Sequence, residues 1–272
     1  MNKTDLIVFS KDRPSQLNTL LRSIELNSNN LFNSINVILT WSKPEFYEGY
    51  RKLFKLHPLV QWTIEKGFRY TTIEMIKNSS EFICMMVDDD VFYRKSNLQS
   101  QLIIDLLNNI PNSVFSLRLG TNITVGDNFT NQPVIQPHFS ELQLGNEKIG
   151  LFWKNENYHS PFHYPVSLDA HIFKKDWLLR RSQEIEFKTP NFYEGSLIKF
   201  GNEFEHIVSP VESCVTSIPC NRVQAEFENK TIGEISAEGL NKKWLDGEEI
   251  DLTDLMKNSC NSTHSNWSYK FI

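Results

Sequence analysis

The most constraining feature of the sequence is an apolar run, Phe82–Val87, that ends directly in three aspartates, Asp88, Asp89 and Asp90. A short run without polar residues predicts a strand that is buried on both faces. Three adjacent carboxyl groups at the end of such a strand repel one another unless a cation or hydrogen-bond donors compensate them. An Mg²⁺ or Mn²⁺ ion that also binds a substrate pyrophosphate would do so. The alternative is a solvated turn of three aspartates.

Strands and helices alternate in the pattern of the first half of the chain. Apolar runs predict strands at residues 6–9, 35–40, 60–64, 82–87 and 114–119. Apolar residues at helical spacing predict helices at 14–27, 44–57, 72–78 and 98–110. This order predicts an α/β fold with a mostly parallel central sheet and helices on both faces.

The second half has a weaker pattern. Residues 122–156 predict loops around irregular strands, and further strands are expected at 166–173 and around 214–223. Helices are expected at 176–186 and 192–200. We find no repeat and no low-complexity linker, so a single continuous domain over residues 1–272 is expected.

The first predicted strand runs into Ser10-Lys11-Asp12-Arg13-Pro14. A proline in the first turn, preceded by Asp12 as the N-cap, predicts a helix start. In open α/β sheets a strand that leads into a helix N-terminus is typical of nucleotide sites, and Arg13 could pair with a phosphate. Simple capping by Asp12 beside a solvated Arg13 is the alternative. Neither GxGxxG nor GxxxxGK[ST] occurs, which disfavours dinucleotide and P-loop sites.

Composition excludes several classes of function. Hydrophobic residues make up 40% and charged residues 22% of the chain, with a net charge of -5, so no basic field would hold nucleic acid. The cysteines lack metal-ligand spacing and are expected to be reduced thiols. Neither a signal-peptide pattern nor a membrane-span length of apolar residues is found. We therefore expect a cytoplasmic protein and leave peripheral association with a membrane open.

Four segments together resemble glycosyltransferase family 2, whose members have the GT-A fold, and its bacterial relatives. They are SKDRPSQL, TWSK, EKGFR and FICMMVDDDVF, all within residues 1–95. The resemblance implies a GT-A domain with a nucleotide-sugar half at 1–120 and, at 121–272, an acceptor half with a C-terminal tail. It implies metal-dependent transfer of a sugar from a nucleoside-diphosphate sugar to a hydroxyl group of a glycan or glycolipid, in polysaccharide or glycoconjugate biosynthesis.

The resemblance also implies roles for single residues. Ser10, Asp12 and Arg13 would line the base and ribose. Thr40 and Glu65 would lie near the base. Arg69 and Lys77 would lie beside the diphosphate. Asp88 and Asp89 would face ribose and sugar, and Asp90 would hold the Mn²⁺ or Mg²⁺ ion. The asparagine-rich segment that the family carries ahead of the short helix is replaced here by GFRY.

Three later segments, HYPVSLDAHIF, TPNFYEGSL and SIPCNRVQ, resemble bacterial enzymes that build surface polysaccharide. In inverting enzymes of this fold a carboxylate removes the proton of the acceptor hydroxyl. Glu194 is the first candidate; the alternative is a capping role, because Asn191-x-x-Glu194 has capping-box spacing. Asp169 is the second candidate, and its alternative is a buried aspartate bonded to His171 or to the backbone.

Two further residues are candidates. The resemblance implies a late histidine that completes the metal site, and His264 fits this role; a surface histidine on a loose tail is the alternative. Arg118, at a predicted strand end, could hold a phosphate or the acceptor, and pairing with an interior aspartate is its alternative.

Aromatic residues gather around residue 160 among polar neighbours, and they are Trp153, Tyr158, Phe162 and Tyr164. Aromatic faces suit sugar rings but also build ordinary cores. We expect a core position for Phe162 and leave both roles open for the others.

Two other functions stay open. A nucleotidyltransferase that makes an activated sugar also uses metal-bound aspartates beside a nucleotide, although SKDRP is a poor phosphate loop. A non-catalytic carbohydrate- or cation-binding module would bind a metal without cleaving the donor. Retention of anomeric configuration also stays open, whereas a glycosidase is disfavoured because hydrolysis requires no nucleotide-binding sheet.

Overall fold

A nine-stranded sheet organises the computed structural model, which describes residues 3–156, 160–224, 226, 228 and 230–272. The strands are β1 (Thr4–Lys11), β2 (Ser34–Thr40), β3 (Gln61–Ile64), β4 (Phe82–Val87), β5 (Asp90–Phe92), β6 (Ser113–Ser116), β7 (Ser140–Leu144), β8 (Glu147–Lys154), β9 (His171–Lys174), β10 (His206–Ser209) and β11 (Val215–Ser217). The helices are α1 (Pro14–Asn27), α2 (Pro44–Leu56), α3 (Phe68–Asn78), α4 (Ser100–Asn109), α5 (Lys175–Glu184), α6 (Pro190–Leu197), α7 (Ala237–Leu245) and α8 (Leu252–Leu255). Two 3₁₀ helices span Pro161–His163 and Ile198–Glu203.

The strand order of the large sheet is β3-β2-β1-β4-β9-β6-β10-β8-β7. The first four strands in this order are parallel, and β10 is parallel to β6. Within the described sheet only β9 and β8 run against the other strands. The small second sheet pairs β5 with β11 in antiparallel register. The predicted α/β architecture with a mostly parallel sheet is confirmed.

Alternation along β1 produces two hydrophobic layers. Leu6 and Val8 face one layer, and Ile7 and Phe9 face the other, because successive strand residues point to opposite faces. The first layer packs against α1, α2 and α4, and the second against α3, α5 and α6. Helices therefore cover both faces, as the sequence predicts.

The second half departs from prediction at β10 (His206–Ser209), a strand that the sequence does not predict, and at the edge of the sheet. Residues 140–154 form a hairpin, β7 with β8, where irregular strands among loops are expected. The sequence of β7, SELQL, is half-polar because this strand lies at the sheet edge with mostly exposed side chains. The turn between the two strands passes through Gly145 at a φ of 62°, which glycine adopts without steric cost.

Strand direction determines where polar groups meet. Since β1, β2, β3 and β4 are parallel, their carboxyl ends share one edge of the sheet, and the register pairs Phe9 with Val87 and Lys11 with Thr40. Ser10 and Asp88 therefore face each other just beyond the buried strands. Binding sites of open α/β sheets lie at this edge.

Candidate active site

Asp88 is the centre of a buried polar cluster at the carboxyl edge. Its carboxylate accepts hydrogen bonds from Ser10 Oγ at 2.8 Å, from the Lys11 amide at 3.1 Å and from Arg13 Nη1 at 3.0 Å. Burial raises the pKa of Asp88, and the charge of Arg13 opposes that rise. The alternative of a solvated turn of three aspartates is wrong, because Asp88 and Asp90 are only 3% and 2% exposed.

Arg13 neutralises this cluster. Its Nη1 lies 3.0 Å from Asp88 Oδ1 and 3.0 Å from Asp89 Oδ2, and its side chain is only 11% exposed. The rest of the guanidinium donates to the side chain and carbonyl of Asn221. The alternative of a solvated Arg13 is therefore wrong. Burial raises the pKa of Asp89 to about 6, although the charge of Arg13 acts in the opposite direction.

Asp12 lies at the same edge but does not cap α1. The N-cap position of α1 belongs to Arg13, and the Asp12 backbone is left-handed with a φ of 58°. The Asp12 carboxylate accepts a hydrogen bond of 2.7 Å from the Ser42 amide, and its own amide donates to the Thr40 carbonyl at 3.4 Å. The predicted cap is thus wrong, because the left-handed turn directs Asp12 toward the loop after β2.

Asp90 begins β5 and is held from two sides. Its carboxylate accepts from the Val87 amide at 3.1 Å and from Ser217 Oγ at 2.6 Å. Ser217 pairs in register with Asp90 and forms a bridge with His264 on its other side. These three residues consequently form a row across neighbouring backbone segments, with Asp90 and His264 flanking Ser217.

Asp169 reaches this region through the sheet order. Because β9 is antiparallel to β4, with His171 opposite Met85, the start of β9 lies beside the carboxyl end of β4. Burial, and then the charge of Asp169, raise the pKa of Asp90 well above its usual range. Asp169 is therefore close enough to the aspartate triplet for the carboxylates to repel one another.

Arg118 compensates part of this negative charge. It follows β6 and donates to the carboxylate of Asp169, to Ser167 Oγ at 2.9 Å and to the Thr263 carbonyl at 3.1 Å. Pairing of Arg118 with an interior aspartate, one of the alternatives from the sequence, is thus observed. Asp169 pairs with this arginine rather than with His171, whose Nδ1 lies 3.1 Å from a backbone carbonyl.

His264 is part of the same cluster and not a residue of a loose tail. Its Nε2 lies 3.9 Å from Asp169 Oδ2 and 3.4 Å from Arg118 Nη2. The His264 amide donates to Ser262 Oγ at 3.2 Å. Burial, and then the charge of Arg118, lower the pKa of His264 to about 4, so its imidazole is neutral near pH 7 and able to bind a metal.

Glu194 has an environment that suits a general base. Its carboxylate accepts from the Tyr164 hydroxyl at 2.8 Å and from the Leu168 amide at 2.7 Å. The N-cap of α6 is Thr189, so Glu194 does not form the capping box that its spacing suggests. Burial, and then the charge of Asp169, raise the pKa of Glu194 to about 7, close to the value that serves proton transfer at neutral pH.

A cavity of about 830 Å³ connects these groups. Its wall includes Arg118, Tyr164, Asp169, Glu194 and His264, which come from four separate stretches of the chain. The lining also includes prolines, amide and hydroxyl side chains, apolar residues such as Leu119 and Ile198, and the charged Asp127 and Lys199. A cavity of this size, with a few converging polar groups of shifted pKa, is typical of a site for a small substrate.

The aromatic residues divide between core and cavity. Phe162 is fully buried, as predicted, and its carbonyl accepts from the indole of Trp153, which is also buried, at 2.7 Å. Tyr164 instead contributes its hydroxyl to the cavity wall. Tyr158 lies outside the described residues.

Two predicted donor residues lie away from the aspartates. Arg69 donates to the carbonyls of Ile185 and Gln183 and so ties α3 to the end of α5. Lys77 pairs with Glu74 at 2.6 Å near the end of α3, which leads back to the opposite edge of the sheet. Among the described residues neither side chain has a hydrogen bond or an ion pair with the aspartates: Arg69, at the start of α3, is held by the end of α5, and Lys77 by Glu74.

Glu65 remains near the edge. It follows β3, and its amide donates to the Leu39 carbonyl at 2.9 Å. Burial raises the pKa of its half-buried carboxyl group, and the charge of Lys11 opposes that rise.

Sequence reasoning missed Ser217 and Asn221, which hold Asp90 and Arg13. Asn221 lies within the segment SIPCNRVQ, but nothing in its pattern indicates a partner so distant in sequence.

The groups present fit a divalent ion that is completed by substrate oxygens. Asp90 and His264 flank Ser217, and the carboxyl groups of Asp89, Asp90 and Asp169 repel one another. No group of three or more ligating side chains occurs among the described residues. Magnesium commonly takes only one or two protein ligands and completes its shell with phosphate oxygens and water.

Comparison with known proteins provides one informative relative. The chain is 31% identical over 187 residues to the bifunctional glycosyltransferase pgtA of Dictyostelium discoideum, a match that spans 64% of this chain and 24% of that protein. The chain thus matches about a quarter of its relative's length. No protein-family model matches. In the described part of the chain, none of the helices combines the length and the apolar character that crossing a bilayer demands.

The solved structures are less similar in sequence to this chain than the Dictyostelium protein is. TarS of S. aureus in complex with UDP-GlcNAc is 15% identical, with a TM-score of 0.49 over 82% of this chain and 60% of that chain. The mannosyltransferase PcManGT of Pyrobaculum calidifontis, with GDP-Man and Mn²⁺, is 13% identical, with a TM-score of 0.44 over 80% and 57% of the two chains. With TM-scores below 0.5, these structures give no argument about the function of this chain. The resemblance to glycosyltransferases that the motifs indicate is confirmed by the similarity of sequence to the Dictyostelium protein.

Proposed function

We propose that this protein is a glycosyltransferase that moves a sugar from a nucleoside-diphosphate sugar to an acceptor hydroxyl. The observation that carries the proposal is Glu194, a partly buried carboxyl group whose pKa is raised to about 7, in the wall of a cavity beside the aspartate-bearing sheet edge. Similarity to a protein named as a glycosyltransferase supports it.

The donor nucleotide binds at the carboxyl edge of the sheet. Ser10, Asp12, Thr40 and Asp88 follow strands or end them at this edge, where open α/β sheets bind nucleotides. Arg13 already faces Asp88 and Asp89 and supplies the positive charge that a diphosphate requires. Glu65 lies at the outer end of the same edge, near the base.

Asp90 and His264 would hold an Mg²⁺ or Mn²⁺ ion. When bound, the ion supplies Lewis-acid neutralisation of the charge that develops on the leaving diphosphate. Ser217 fixes Asp90 through its hydroxyl, and the imidazole of His264, beside Arg118, is neutral near pH 7.

Glu194 accepts the proton of the acceptor hydroxyl as that oxygen attacks the anomeric carbon. Attack from the face opposite the diphosphate inverts the configuration, and general-base help of this kind contributes about 10²- to 10⁴-fold. Asp169 is the second candidate for the base, because its carboxylate is engaged in an ion pair with Arg118. The acceptor is a glycan or a glycolipid, reached in the latter case by association with a membrane surface.

A thermal-shift screen of UDP-, GDP-, CMP- and dTDP-sugars, with and without Mn²⁺, tests the donor site, because a ligand of the native state raises its melting temperature. One donor class should raise it more with Mn²⁺ than without, and Asp90→Asn should remove the manganese-dependent part. A full manganese-dependent shift in that variant would disprove the role of Asp90. The melting temperature without ligand shows whether the variant is folded.

Product analysis separates the competing functions. Release of a nucleoside diphosphate together with a glycosylated acceptor supports sugar transfer. Release of pyrophosphate would indicate a nucleotidyltransferase instead. Binding of donor and Mn²⁺ without turnover on any acceptor would indicate a binding module. The configuration of the new glycosidic bond, read by NMR, decides between inversion and retention.

A further inference from the structure

Tyr164 lies directly after the 3₁₀ helix Pro161–His163 and lines the same cavity as Glu194. Its hydroxyl is 2.8 Å from Glu194 Oε1. We propose that Tyr164 positions the general base: its hydroxyl holds Oε1 of Glu194 in the cavity wall and stabilises the carboxylate over the carboxylic acid. This inference rests on the proposed function of Glu194.

Geometry supports a positioning role. The two carboxylate oxygens of Glu194 are held separately, Oε1 by the Tyr164 hydroxyl and Oε2 by the Leu168 amide at 2.7 Å. Two donors from different directions fix the rotation of the carboxylate plane. Each oxygen retains a further lone pair, so Oε1 can still accept the proton of an acceptor hydroxyl. A base held in one orientation loses little entropy when the acceptor binds.

Electrostatics assigns the same role. The charged and titratable groups around the carboxyl group, from every described element that faces it or the cavity, are Arg118, Asp127, His163, Tyr164, Asp169, His171, Lys199 and His264. Burial and Asp169 favour the acid form of Glu194, whereas Tyr164, the Leu168 amide and Arg118 favour the carboxylate. Burial lowers the pKa of His171 to about 3, so this residue is neutral. Removal of the Tyr164 hydroxyl therefore shifts Glu194 toward the acid form.

The test is Tyr164→Phe beside a matched control, Tyr193→Phe. Tyr193 is adjacent to Glu194 in α6, and its buried hydroxyl lies 2.5 Å from Ser182 Oγ rather than near Glu194. In Tyr164→Phe the acid limb of the kcat–pH profile should move up by about half to one pH unit, with a fall of about 3- to 10-fold in kcat at pH 7 and an unchanged donor KM. Tyr193→Phe should leave the limb in place.

A second measurement does not require activity. A ¹³C NMR titration of labelled glutamate carboxyl groups, with the Glu194 signal assigned by Glu194→Gln, should show a higher pKa of Glu194 in Tyr164→Phe than in the wild type. An unchanged titration, or an equal change in Tyr193→Phe, overturns the role of Tyr164. Absence of transfer in the wild type would refute the proposed function instead, and the NMR comparison would still decide on the hydrogen bond.

Discussion

Two acidic regions of this protein differ in how their negative charge is compensated. In the paired edge, formed by Ser10, Arg13, Asp88 and Asp89, an arginine contacts both carboxylates at 3.0 Å. In the base pocket, formed by Tyr164, Leu168 and Glu194, the carboxylate accepts from a hydroxyl and an amide. A cation in contact opposes the effect of burial on a carboxyl group: the pKa of Asp89 beside Arg13 is raised to about 6, and that of Glu194 beside neutral donors to about 7.

The difference indicates that the two regions serve different tasks, ligand recognition and proton transfer. An arginine that bridges two carboxyl groups suits recognition of a charged ligand, and a carboxyl group with a pKa of about 7 suits proton transfer near neutral pH. Asp169 links the two regions, because it raises the pKa of Asp89, Asp90 and Glu194 alike while paired with Arg118. Variants of each region, measured for turnover, donor binding and free energy of unfolding, test whether the two regions differ in this way.

The largest expected effect is on turnover in Glu194→Gln. Glutamine retains the shape and can satisfy both hydrogen bonds, but it cannot accept a proton, so we expect transfer to fall by about 10²- to 10⁴-fold with donor binding unchanged. Initial rates of nucleoside-diphosphate release measure transfer, and a donor thermal shift measures donor binding. Full turnover would exclude Glu194 as the base and leave Asp169 as the candidate.

The next effect is on folding in Arg13→Gln. Removal of the arginine leaves Asp88 and Asp89 buried without a cation, which we expect to lower the free energy of unfolding by about 3 to 5 kcal/mol. Urea denaturation at pH 7 measures it. Arg94→Gln is the control, because the pair of Arg94 with Glu212 is exposed and should matter by about 1 kcal/mol or less. Equal losses in the two variants would show that the paired edge depends little on Arg13.

A smaller expected effect is on stability in Glu194→Gln, and it depends on pH. Below about pH 4.5 Glu194 is protonated in both the folded and the unfolded chain, so Glu194→Gln should hardly change stability there. Above its folded pKa of about 7 the wild type must bury a carboxylate that the unfolded chain solvates. Glu194→Gln should therefore be more stable than the wild type by about 1 to 3 kcal/mol at pH 8.

Urea denaturation at pH 4.5 and pH 8 measures this difference, with Glu203→Gln as a control that alters a partly exposed carboxylate paired with Arg181. Stabilisation by Glu194→Gln that is equal at both pH values would mean that the ionisation of Glu194 is not its cause.

The smallest expected effect is that of Lys77→Met. Lys77 pairs with Glu74 on the exposed surface of α3, away from the paired edge, so donor affinity should be unchanged and stability should change by less than about 0.5 kcal/mol. A donor titration followed by thermal shift measures it. A clear loss of donor affinity would restore the diphosphate role that the resemblance implies for Lys77.

Local patterns in the sequence were sufficient for much of the first half. The apolar run of β4, the alternation in β1 and the helix-starting Pro14 each depend on neighbouring residues, so strands, helices and the position of Asp88 at a strand end followed directly. The orientation of Asp12 did not follow, because its left-handed backbone at a φ of 58° turns the side chain from α1 toward Ser42.

What the sequence by itself determined is the existence of a buried strand ending in carboxylates, because hydrophobic periodicity and charge are local properties. Only the tertiary structure decided the base pocket and its link to Arg118 and His264. The insertion of antiparallel β9 between β4 and β6 brings Asp169 beside the aspartates, and the order of strands in a sheet depends on long-range packing. The partner of Glu194 is set in the same way, since Tyr164 precedes it by 30 residues and no spacing rule joins them.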